Sequence, residues 1–406
     1  MKKRDIYLNQ LINLKDKPLI KVITGIRRCG KSTLLSLFEE YLFQNGALPN
    51  RIIRMNFESF EFDSILSYKE LYAYIKSKIT NNIEKYYILL DEVQQVESWE
   101  KTINSFLVDS NVDIYITGSN AYLLSSELST LLSGRYVEIK MQPLSFKEFL
   151  DFNATTPADD IGKLFEDYLT YGGLPTVIEL KDHPDSIGPF LNGIYTTVIM
   201  KDVVQRNKVR DTALLESVLK FIASNIGNPV STKKISDYLT SSGRKTTSDT
   251  VDSYLKMLEG AYIIYRANRY DLKGKLFLKT LEKYYMVDTG IRNQLTGYRN
   301  TDYGHVLENI VYFELLRRGY EVAIGKLGTL EVDFVATKPN EKIYFQVSAT
   351  VMDENTRERE LRPLMTITDH YEKIILTMDK TIYNDFDGIK CINIIGFLLD
   401  KSFLIG

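Results

Sequence analysis

The chain has 406 residues and a formal net charge of −2 at pH 7, with 51 lysine and arginine residues against 53 aspartate and glutamate residues. This length exceeds one ordinary hydrophobic core and predicts two or three domains. An apolar fraction of 44% and a charged fraction of 26% are typical of a soluble globular protein. The near-zero net charge gives no global argument for nucleic-acid binding, which would need a local basic patch.

The cysteine and histidine content argues against two further classes of protein. Cys29 and Cys391 are the only cysteines, which disfavours a disulfide framework and favours a reducing compartment. The three histidines are scattered, and no zinc cluster is visible. No apolar run approaches the roughly 20 residues of a membrane-spanning helix, and the N-terminus continues into mixed polar sequence instead of an apolar signal core. We therefore expect a cytoplasmic protein with no membrane partner.

A phosphate-binding loop is the strongest single motif. A short apolar run precedes Gly-Ile-Arg-Arg-Cys-Gly-Lys-Ser, residues 25–32, which fits the pattern G-x-x-x-x-G-K-[ST] without a mismatch. Gly25 and Gly30 allow a tight turn whose N–H groups point at phosphates, and the following helix adds its positive N-terminal end. We expect Lys31 to reach the β- and γ-phosphates of ATP and Ser32 to ligate Mg²⁺. The predicted nucleotide contacts are Gly25, Ile26, Arg27, Arg28, Cys29, Gly30, Lys31, Ser32 and Thr33.

The alternative explanation is a glycine turn that happens to precede a helix. The apolar strand before the loop and the periodic helix after it argue against that explanation, because the nucleotide motif demands both.

Two carboxylates follow a later strand. Residues 3–13 predict an amphipathic helix, residues 51–57 a second strand, and residues 86–92 an apolar strand that ends in Asp91 and Glu92. This is a Walker B arrangement, in which Asp91 would hold the Mg²⁺ shell and Glu92 would orient or deprotonate the attacking water. Acidic residues after an apolar run are common, but this pair comes about 60 residues after a complete phosphate loop.

Two more candidates concern the γ-phosphate. Residues 112–120 predict a strand that ends in Ser119 and Asn120, candidates for the sensor-1 contact, although Gly-Ser-Asn is also ordinary turn chemistry. Arg135 lies on a predicted loop and is the arginine-finger hypothesis, because a cation beside the transferring phosphate can raise the rate greatly. The alternative for Arg135 is a structural salt bridge.

The family resemblance depends on a set of motifs spread over nearly the whole chain. They are Gly25-Ile-Arg-Arg-Cys-Gly-Lys-Ser-Thr33, Leu89-Leu-Asp-Glu-Val-Gln94, Thr117-Gly-Ser-Asn120, Ser133-Gly-Arg135, Pro143-Leu-Ser-Phe-Lys-Glu-Phe149, Tyr171-Gly-Gly-Leu-Pro175, Tyr284-Tyr-Met-Val-Asp-Thr-Gly-Ile291 and Glu331-Val-Asp-Phe-Val-Ala336. Together they resemble a prokaryotic group of AAA+-like ATPases whose C-terminal half is a region of uncharacterised function. The resemblance implies ATP binding and hydrolysis.

The same resemblance suggests a lid after the first domain. In similar ATPases a Gly-x-Pro element of the lid contacts the nucleotide base, and Gly173, Leu174 and Pro175 match that pattern. A helix stop made of glycine and proline would explain the same residues without function. We place an AAA+-like α/β P-loop domain at residues 1–152 and a helical lid at residues 153–210.

The next region, residues 211–292, predicts a winged helix. A helix at residues 214–226 is followed by two short helices around a glycine turn and by an apolar strand. Ser231 and Ser248 are expected to cap the two short helices.

DNA reading by this winged helix is disfavoured by its charges. The helix in the recognition position offers Asp249, Asp252 and Glu259 against Lys256 alone, which opposes insertion into a groove. Backbone contact through the wing stays open, because it carries Arg266, Arg269, Lys273, Lys275 and Lys279. A protein-binding or intramolecular role is the favoured alternative.

The C-terminal region, residues 293–406, predicts a further α/β domain. A helix at residues 303–318 and strands that carry Glu331-Val-Asp333 and Gln346-Val-Ser348 resemble the restriction-endonuclease-like nuclease core. Glu308, Asp333 and Gln346 match acidic or amide positions of that core. Ser348 stands where the lysine should be, and Lys373 on a neighbouring strand is a candidate replacement. We expect a degenerate domain that does not cut and that serves as a docking surface for nucleic acid or protein.

These motifs lead to one functional expectation and two alternatives. The expectation is a Mg²⁺-dependent ATPase that acts as a nucleotide-controlled conformational switch, with a homo-oligomer as the setting for a finger that acts in trans. The alternatives are an ATP-dependent DNA-processing nuclease and a nucleotide-binding adaptor with little turnover.

Overall fold

The computed structural model describes residues 2–81, 83–109, 111–118, 132, 134–156, 158–298, 302–380 and 385–399, with the backbone alone at 109, 279 and 280. The chain divides into two compact units, one of residues 1–142 with 260–262 and one of residues 143–259 with 263–406. The domain boundaries predicted after residues 152, 210 and 292 rest on sequence motifs and not on compactness, and they stay predictions.

The first unit is built around a parallel sheet. Its strands are β1 (Ile20–Thr24), β2 (Ile52–Asn56), β3 (Tyr86–Asp91), β4 (Val112–Gly118) and β5 (Tyr136–Lys140), in the order β2-β3-β4-β1-β5. Every neighbouring pair is parallel. Its helices are α1 (Asp5–Asn13), α2 (Lys31–Gln44), α3 (Tyr68–Lys78) and α4 (Trp99–Asp109).

The residues of the central strands explain why the sheet is buried on both faces. Both β1 and β3 are buried along their whole length, as the near-continuous apolar runs of parallel sheets are. Lys21 is the exception within β1. Its ammonium is fully buried, donates to Asp113 Oδ1 at 2.5 Å and to the Lys17 carbonyl at 2.8 Å, and so satisfies the rule that a buried charge is paired.

The second unit contains helices and a mixed sheet. Its helices are α5 (Phe146–Asn153), α6 (Ile161–Tyr171), α7 (Pro175–Glu179), α8 (Ile187–Thr197), α9 (Thr212–Ser224), α10 (Thr232–Ser241), α11 (Ser248–Gly260), α12 (Thr289–Thr296), α13 (Tyr303–Arg317), α14 (Glu354–Thr366) and α15 (Ile394–Leu399). A π-helix, Val198–Gln205, continues α8. None of the helices in the described part of the chain is long and apolar enough to cross a membrane.

The sheet of this unit joins two regions that the sequence analysis separated. Its strands are β6 (Ile264–Asp271), β7 (Leu276–Met286), β8 (Glu321–Leu327), β9 (Leu330–Lys338), β10 (Glu341–Ser348), β11 (Glu372–Thr377), β12 (Asp385–Phe386) and β13 (Ile389–Asn393). They lie in the order β12-β13-β11-β10-β9-β8-β6-β7. The hairpin predicted as the wing, β6 with β7, pairs through β6 with β8, so the C-terminal sheet continues into it.

One of the two predicted helix caps is confirmed and the other is wrong. The Ser231 side chain caps α10 by accepting from the Lys234 N–H at 3.2 Å. At the next helix Ser248 is already inside the first turn, and the Thr247 hydroxyl accepts from the Thr250 N–H at 3.2 Å. A threonine one position earlier supplies the same acceptor.

Some of the wing cations are used within the protein. Arg266 pairs with Glu259 at 3.0 Å, and Arg269 is buried. Lys273 and Lys275 are exposed on the hairpin turn, whereas the Lys279 side chain lies outside the described residues. Of the wing cations whose side chains the structure describes, Lys273 and Lys275 are therefore the exposed ones that an outside partner could contact.

Two of the glycine-containing motifs, residues 171–175 and residues 284–291, pack together at the carboxylate of Asp288 in this unit. Asp288 is buried, and its oxygens accept from the N–H of Gly173 at 2.7 Å and of Ile291 at 3.0 Å. A Cβ at Gly172, where φ is +81°, would lie 2.2 Å from Asp288 Oδ1. Burial raises the pKa of Asp288 to about 6. Packing alone thus requires glycine at Gly172.

We expect Gly172→Ala to lower the free energy of unfolding of the second unit by about 3 kcal/mol or more, because the methyl group displaces the carboxylate. The matched control is Gly243→Ala, which has φ +85° and nothing within 4 Å of the added Cβ. The control should cost about 1 kcal/mol, from backbone strain alone. Urea unfolding measures both, and equal losses would contradict the packing explanation.

Candidate functional site

The predicted phosphate loop follows β1 and packs against the backbone just after β5. A Cβ at Gly25, where φ is +141°, would lie 2.0 Å from the Met141 carbonyl oxygen. The Met141 N–H donates to the Thr24 carbonyl at 2.7 Å, which fixes β5 beside the start of the loop. Gly30, with φ +104°, begins α2 without a side-chain cap. These constraints explain why both glycines are needed here.

An arginine that the sequence analysis did not single out supports this loop. Arg4, just before α1, is buried and donates to the Cys29 carbonyl at 3.0 Å and to the Gln142 carbonyl at 2.7 Å. The Arg4 guanidinium thereby joins the phosphate loop, at Cys29, to the segment that follows β5, at Gln142. No local pattern in the sequence indicates this role, because the contacts are made to backbone atoms far along the chain.

The loop lysine lies inside the loop. The Lys31 ammonium is buried, donates to the carbonyls of Gly25 at 3.0 Å and Ile26 at 3.1 Å, and lies 3.9 Å from Glu92 Oε1. The cation and the uncapped helix end therefore converge on the cradle of the loop, an arrangement that suits an anion.

The remaining loop residues have different surroundings. Ile26 and Cys29 are fully buried, and burial raises the pKa of the Cys29 thiol, which keeps it protonated. Arg27 pairs with Glu58 at 3.2 Å, and Arg28 is exposed with φ +64°. Ser32 and Thr33 are exposed on the first turn of α2, where their side chains are accessible to a ligand.

The two predicted Walker B carboxylates lie at the carboxyl end of β3. Asp91 is fully buried, and its Oδ1 accepts from the Thr117 hydroxyl. Its Oδ2 is buried and has no hydrogen-bond partner in the described part of the chain. An unsatisfied buried carboxylate oxygen is costly and calls for a cation or a donor. The residues present therefore fit a Mg²⁺ ion held by Asp91 and Ser32.

Glu92 has a strained backbone. Its φ is +56°, which is rare for a residue with a side chain, and its Oε2 accepts from Gln94 Nε2 at 2.5 Å. Its N–H donates to the Thr117 hydroxyl at 2.9 Å. Such strain is typical of functional positions, where surrounding contacts enforce it.

Thr117 is thus a positioning residue that the sequence analysis quoted but gave no role. Its hydroxyl donates to Asp91 and accepts from Glu92, so one side chain at the end of β4 orients both carboxylates. Because β3 and β4 are parallel neighbours, their carboxyl ends must meet at the same edge. This rule of parallel sheets is the signal by which the sequence could have indicated Thr117, near the carboxyl end of β4.

The other predicted site residues are placed as follows. Arg135 is exposed, and its carbonyl accepts from the Ile20 N–H at 2.9 Å. Ser119 and Asn120 lie outside the described residues. Pro175 begins α7 in the second unit, so its nucleotide contact stays a prediction.

A second charged centre lies in the second unit. Glu308 from α13, Asp333 from β9 and Gln346 from β10 line one cleft of about 620 Å³, as do Lys283 and Glu331. Gln346 Oε1 accepts from the Asp333 N–H at 3.3 Å. The structure thus brings together the three residues that the nuclease resemblance singled out.

Lys373, the replacement lysine suggested by sequence, is not part of this cleft. Its ammonium donates to the Ile367 carbonyl at 2.6 Å, and the residue does not line the cavity. The suggestion is wrong, because Lys373 is drawn to a backbone acceptor. The lysine that lies there is Lys283, from the hairpin assigned to another domain.

Burial and the neighbouring charges both shift the pKa values of the ionisable groups in this cleft. Burial would lower the pKa of Lys283, but the carboxylates of Glu308, Asp333 and Glu331 outweigh it and raise that pKa. Burial, together with the charge of Glu308, raises the pKa of Asp333 well above its usual range.

The fold and the first site are those of an AAA-type P-loop domain. Residues 17–150 match a family described as an AAA domain, and residues 162–302 match a domain of unknown function, DUF8612. The Walker-type ATPase PABY2304 of Pyrococcus abyssi has a similar structure, with a TM-score of 0.50 and 18% identity over 73% of this chain and 96% of that one. At this identity the likeness concerns the fold alone.

The chain belongs to the family of an uncharacterized protein of Haemophilus influenzae, to which it is 45% identical over 98% of both chains. The uncharacterized protein MJ1544 of Methanocaldococcus jannaschii is 30% identical over 92% of this chain and 82% of its own length. The predicted α/β P-loop fold is confirmed. The winged helix and the nuclease-like core stay predictions.

We expect Thr117→Val to lower the free energy of unfolding of the first unit by about 2 kcal/mol, because it leaves Asp91 Oδ1 and the Glu92 N–H without this partner. Thr117→Ser keeps the hydroxyl and should lose less than about 1 kcal/mol. Thermal and urea unfolding of both variants measure the difference. Equal losses in the two variants would show that the hydroxyl of Thr117 does not account for the stability that this residue provides.

Proposed function

We propose that this protein is a Mg²⁺-dependent ATPase that acts as a nucleotide-controlled conformational switch. The observation that carries the proposal is the buried Asp91 Oδ2, which has no hydrogen-bond partner among the described residues and lies in the unit that holds the complete phosphate loop. The AAA-domain match at residues 17–150 supports it.

The chain's own residues have separable roles in this reaction. The Lys31 ammonium and the loop N–H groups bind the β- and γ-phosphates of ATP, in exchange for the carbonyls that Lys31 now contacts. Ser32 and Asp91 would hold Mg²⁺, which supplies positive charge against the phosphate oxygens when bound. The oxygen of the attacking water bonds to the γ-phosphorus while the bond from that phosphorus to the ADP oxygen breaks, and Glu92 accepts the proton that the water loses.

The switch follows from the change of charge at this site. Release of the γ-phosphate removes the partner of Lys31 and of any sensor that contacts it, and such loss is the usual origin of nucleotide-driven rearrangement. A macromolecular partner would read the rearrangement. The exposed Lys273 and Lys275 of the hairpin suit the backbone of DNA, whereas the paired Arg266 does not.

Glu92→Gln should retain ATP binding and slow hydrolysis by roughly 100-fold or more, because it removes the base but keeps the shape of the side chain. Lys31→Ala should weaken ATP binding itself. The matched control, Glu40→Gln on the exposed face of α2, should change neither. Phosphate release and titration calorimetry separate the two effects. Binding without turnover in the parent protein would favour an adaptor, and no binding would refute the proposal.

Arg135→Ala should slow hydrolysis with ATP affinity retained if this exposed arginine is a finger. A finger that acts in trans also predicts that specific activity rises with protein concentration and that native mass shows an ATP-dependent oligomer. Parental hydrolysis in the variant would remove Arg135 from the site.

A further inference from the structure

The cleft of the second unit is organised around a lysine and not around its carboxylates. The Lys283 ammonium lies 2.9 Å from Glu308 Oε1, 2.8 Å from Glu331 Oε1 and 3.7 Å from Asp333 Oδ1. Its side chain is only 3% exposed. An ammonium has three protons, and here it faces three carboxylates that belong to α13 and β9.

The two most buried carboxyl groups of this centre, those of Glu308 and Asp333, have further partners besides Lys283. Glu308 Oε1 also accepts from the Tyr285 hydroxyl, and its Oε2 lies 3.6 Å from His305 Nδ1. Asp333 Oδ2 accepts from the Val347 N–H at 2.9 Å. Among the residues that the structure describes, no buried oxygen of Glu308 or Asp333 is left without a partner as Asp91 Oδ2 is.

A metal ion would compete with these contacts for the same oxygens. Carboxylates that bind a metal direct lone pairs at it, and their other partners hold them in place. In this centre the oxygens of Glu308 and Asp333 are directed at the Lys283 ammonium and at the Val347 N–H. Within the described residues there is no group of three histidine, cysteine, aspartate or glutamate side chains able to hold a metal.

The position where the sequence analysis expected a lysine supplies no replacement. Ser348 is buried and donates to the Thr350 carbonyl at 2.8 Å. The buried cation of the cleft, Lys283, instead comes from β7, the outer strand of the sheet, at the far end of the order from β12.

We infer that Lys283 is the resident cation of this centre: its ammonium takes the place that a divalent metal would need, and the cleft works without one. Lys283 thereby joins the β6–β7 hairpin to α13 and β9 by buried ion pairs. The cleft does not hydrolyse phosphodiesters through a metal-bound water, and its role is that of a binding or structural centre. This inference is independent of the proposed ATPase.

The test uses the full-length protein with Asp91→Asn, which removes the carboxylate proposed to hold Mg²⁺ in the first unit. Adding Lys283→Met should lower Tm by roughly 5–15 °C, because it leaves carboxylates buried without their cation. Millimolar Mn²⁺ should restore part of that loss, whereas it should leave Asp91→Asn alone unchanged. Adding Glu308→Gln to Lys283→Met should abolish the Mn²⁺ effect. Lys256→Met, which removes an exposed pair with Asp252, is the matched control and should shift Tm by about 2 °C or less.

Two results would overturn the inference. One is a Lys283→Met protein as stable as its parent. The other is Mn²⁺ binding by the Asp91→Asn protein, in which Lys283 is intact, if that binding is lost when Asp333→Asn is added. Calorimetric titration with Mn²⁺ gives this second result even if Lys283→Met does not fold.

Discussion

Burial of charge is the constraint on which both compact units depend. In the described part of the chain three lysines are almost completely buried, and the charge of each is stabilised differently. Lys21 pairs with one carboxylate, Lys31 contacts the carbonyls of its own loop, and Lys283 faces three carboxyl groups. An unpaired buried charge would cost several kcal/mol, so these contacts decide which strands can lie beside each other. The Lys21–Asp113 pair fixes β1 against β4, and Lys283 fixes β7 near β9.

The same constraint separates a structural centre from a reactive one. Around Lys21 both oxygens of Asp113 have donors, and around Lys283 the carboxyl groups of Glu308 and Asp333 each accept from a further hydroxyl or N–H group. Such hydrogen-bonded networks rigidify a fold. Beside the phosphate loop, one oxygen of Asp91 is left over, and Glu92 is held in a strained backbone conformation. Unsatisfied and strained groups are tolerated mainly where function requires them.

The sequence predicted what is local and missed what is distant. The loop, β3 with its carboxylates and the strand that ends near Thr117 are each encoded by adjacent residues, and the structure has them within a residue or two of their expected bounds. Strand β5 was missed because Val137 and Ile139 alternate too briefly to be distinguished from a loop. Arg4 and Lys283 were missed because their partners lie far along the chain, and no periodicity records such contacts.

The glycine motif before α7 shows how two explanations of one motif can be separated. Gly172 and Gly173 lie against Asp288, and the Gly173 carbonyl accepts from the Leu144 N–H at 2.7 Å, so packing accounts for both glycines. Their presence is therefore no evidence for a nucleotide contact. Pro175 begins α7 at the first helical position, which suits any proline. A nucleotide contact of this element must consequently be judged on substitutions of Pro175 that keep α7 intact, because a side chain at Gly172 would displace Asp288 and one at Gly173 would displace the Leu144 backbone.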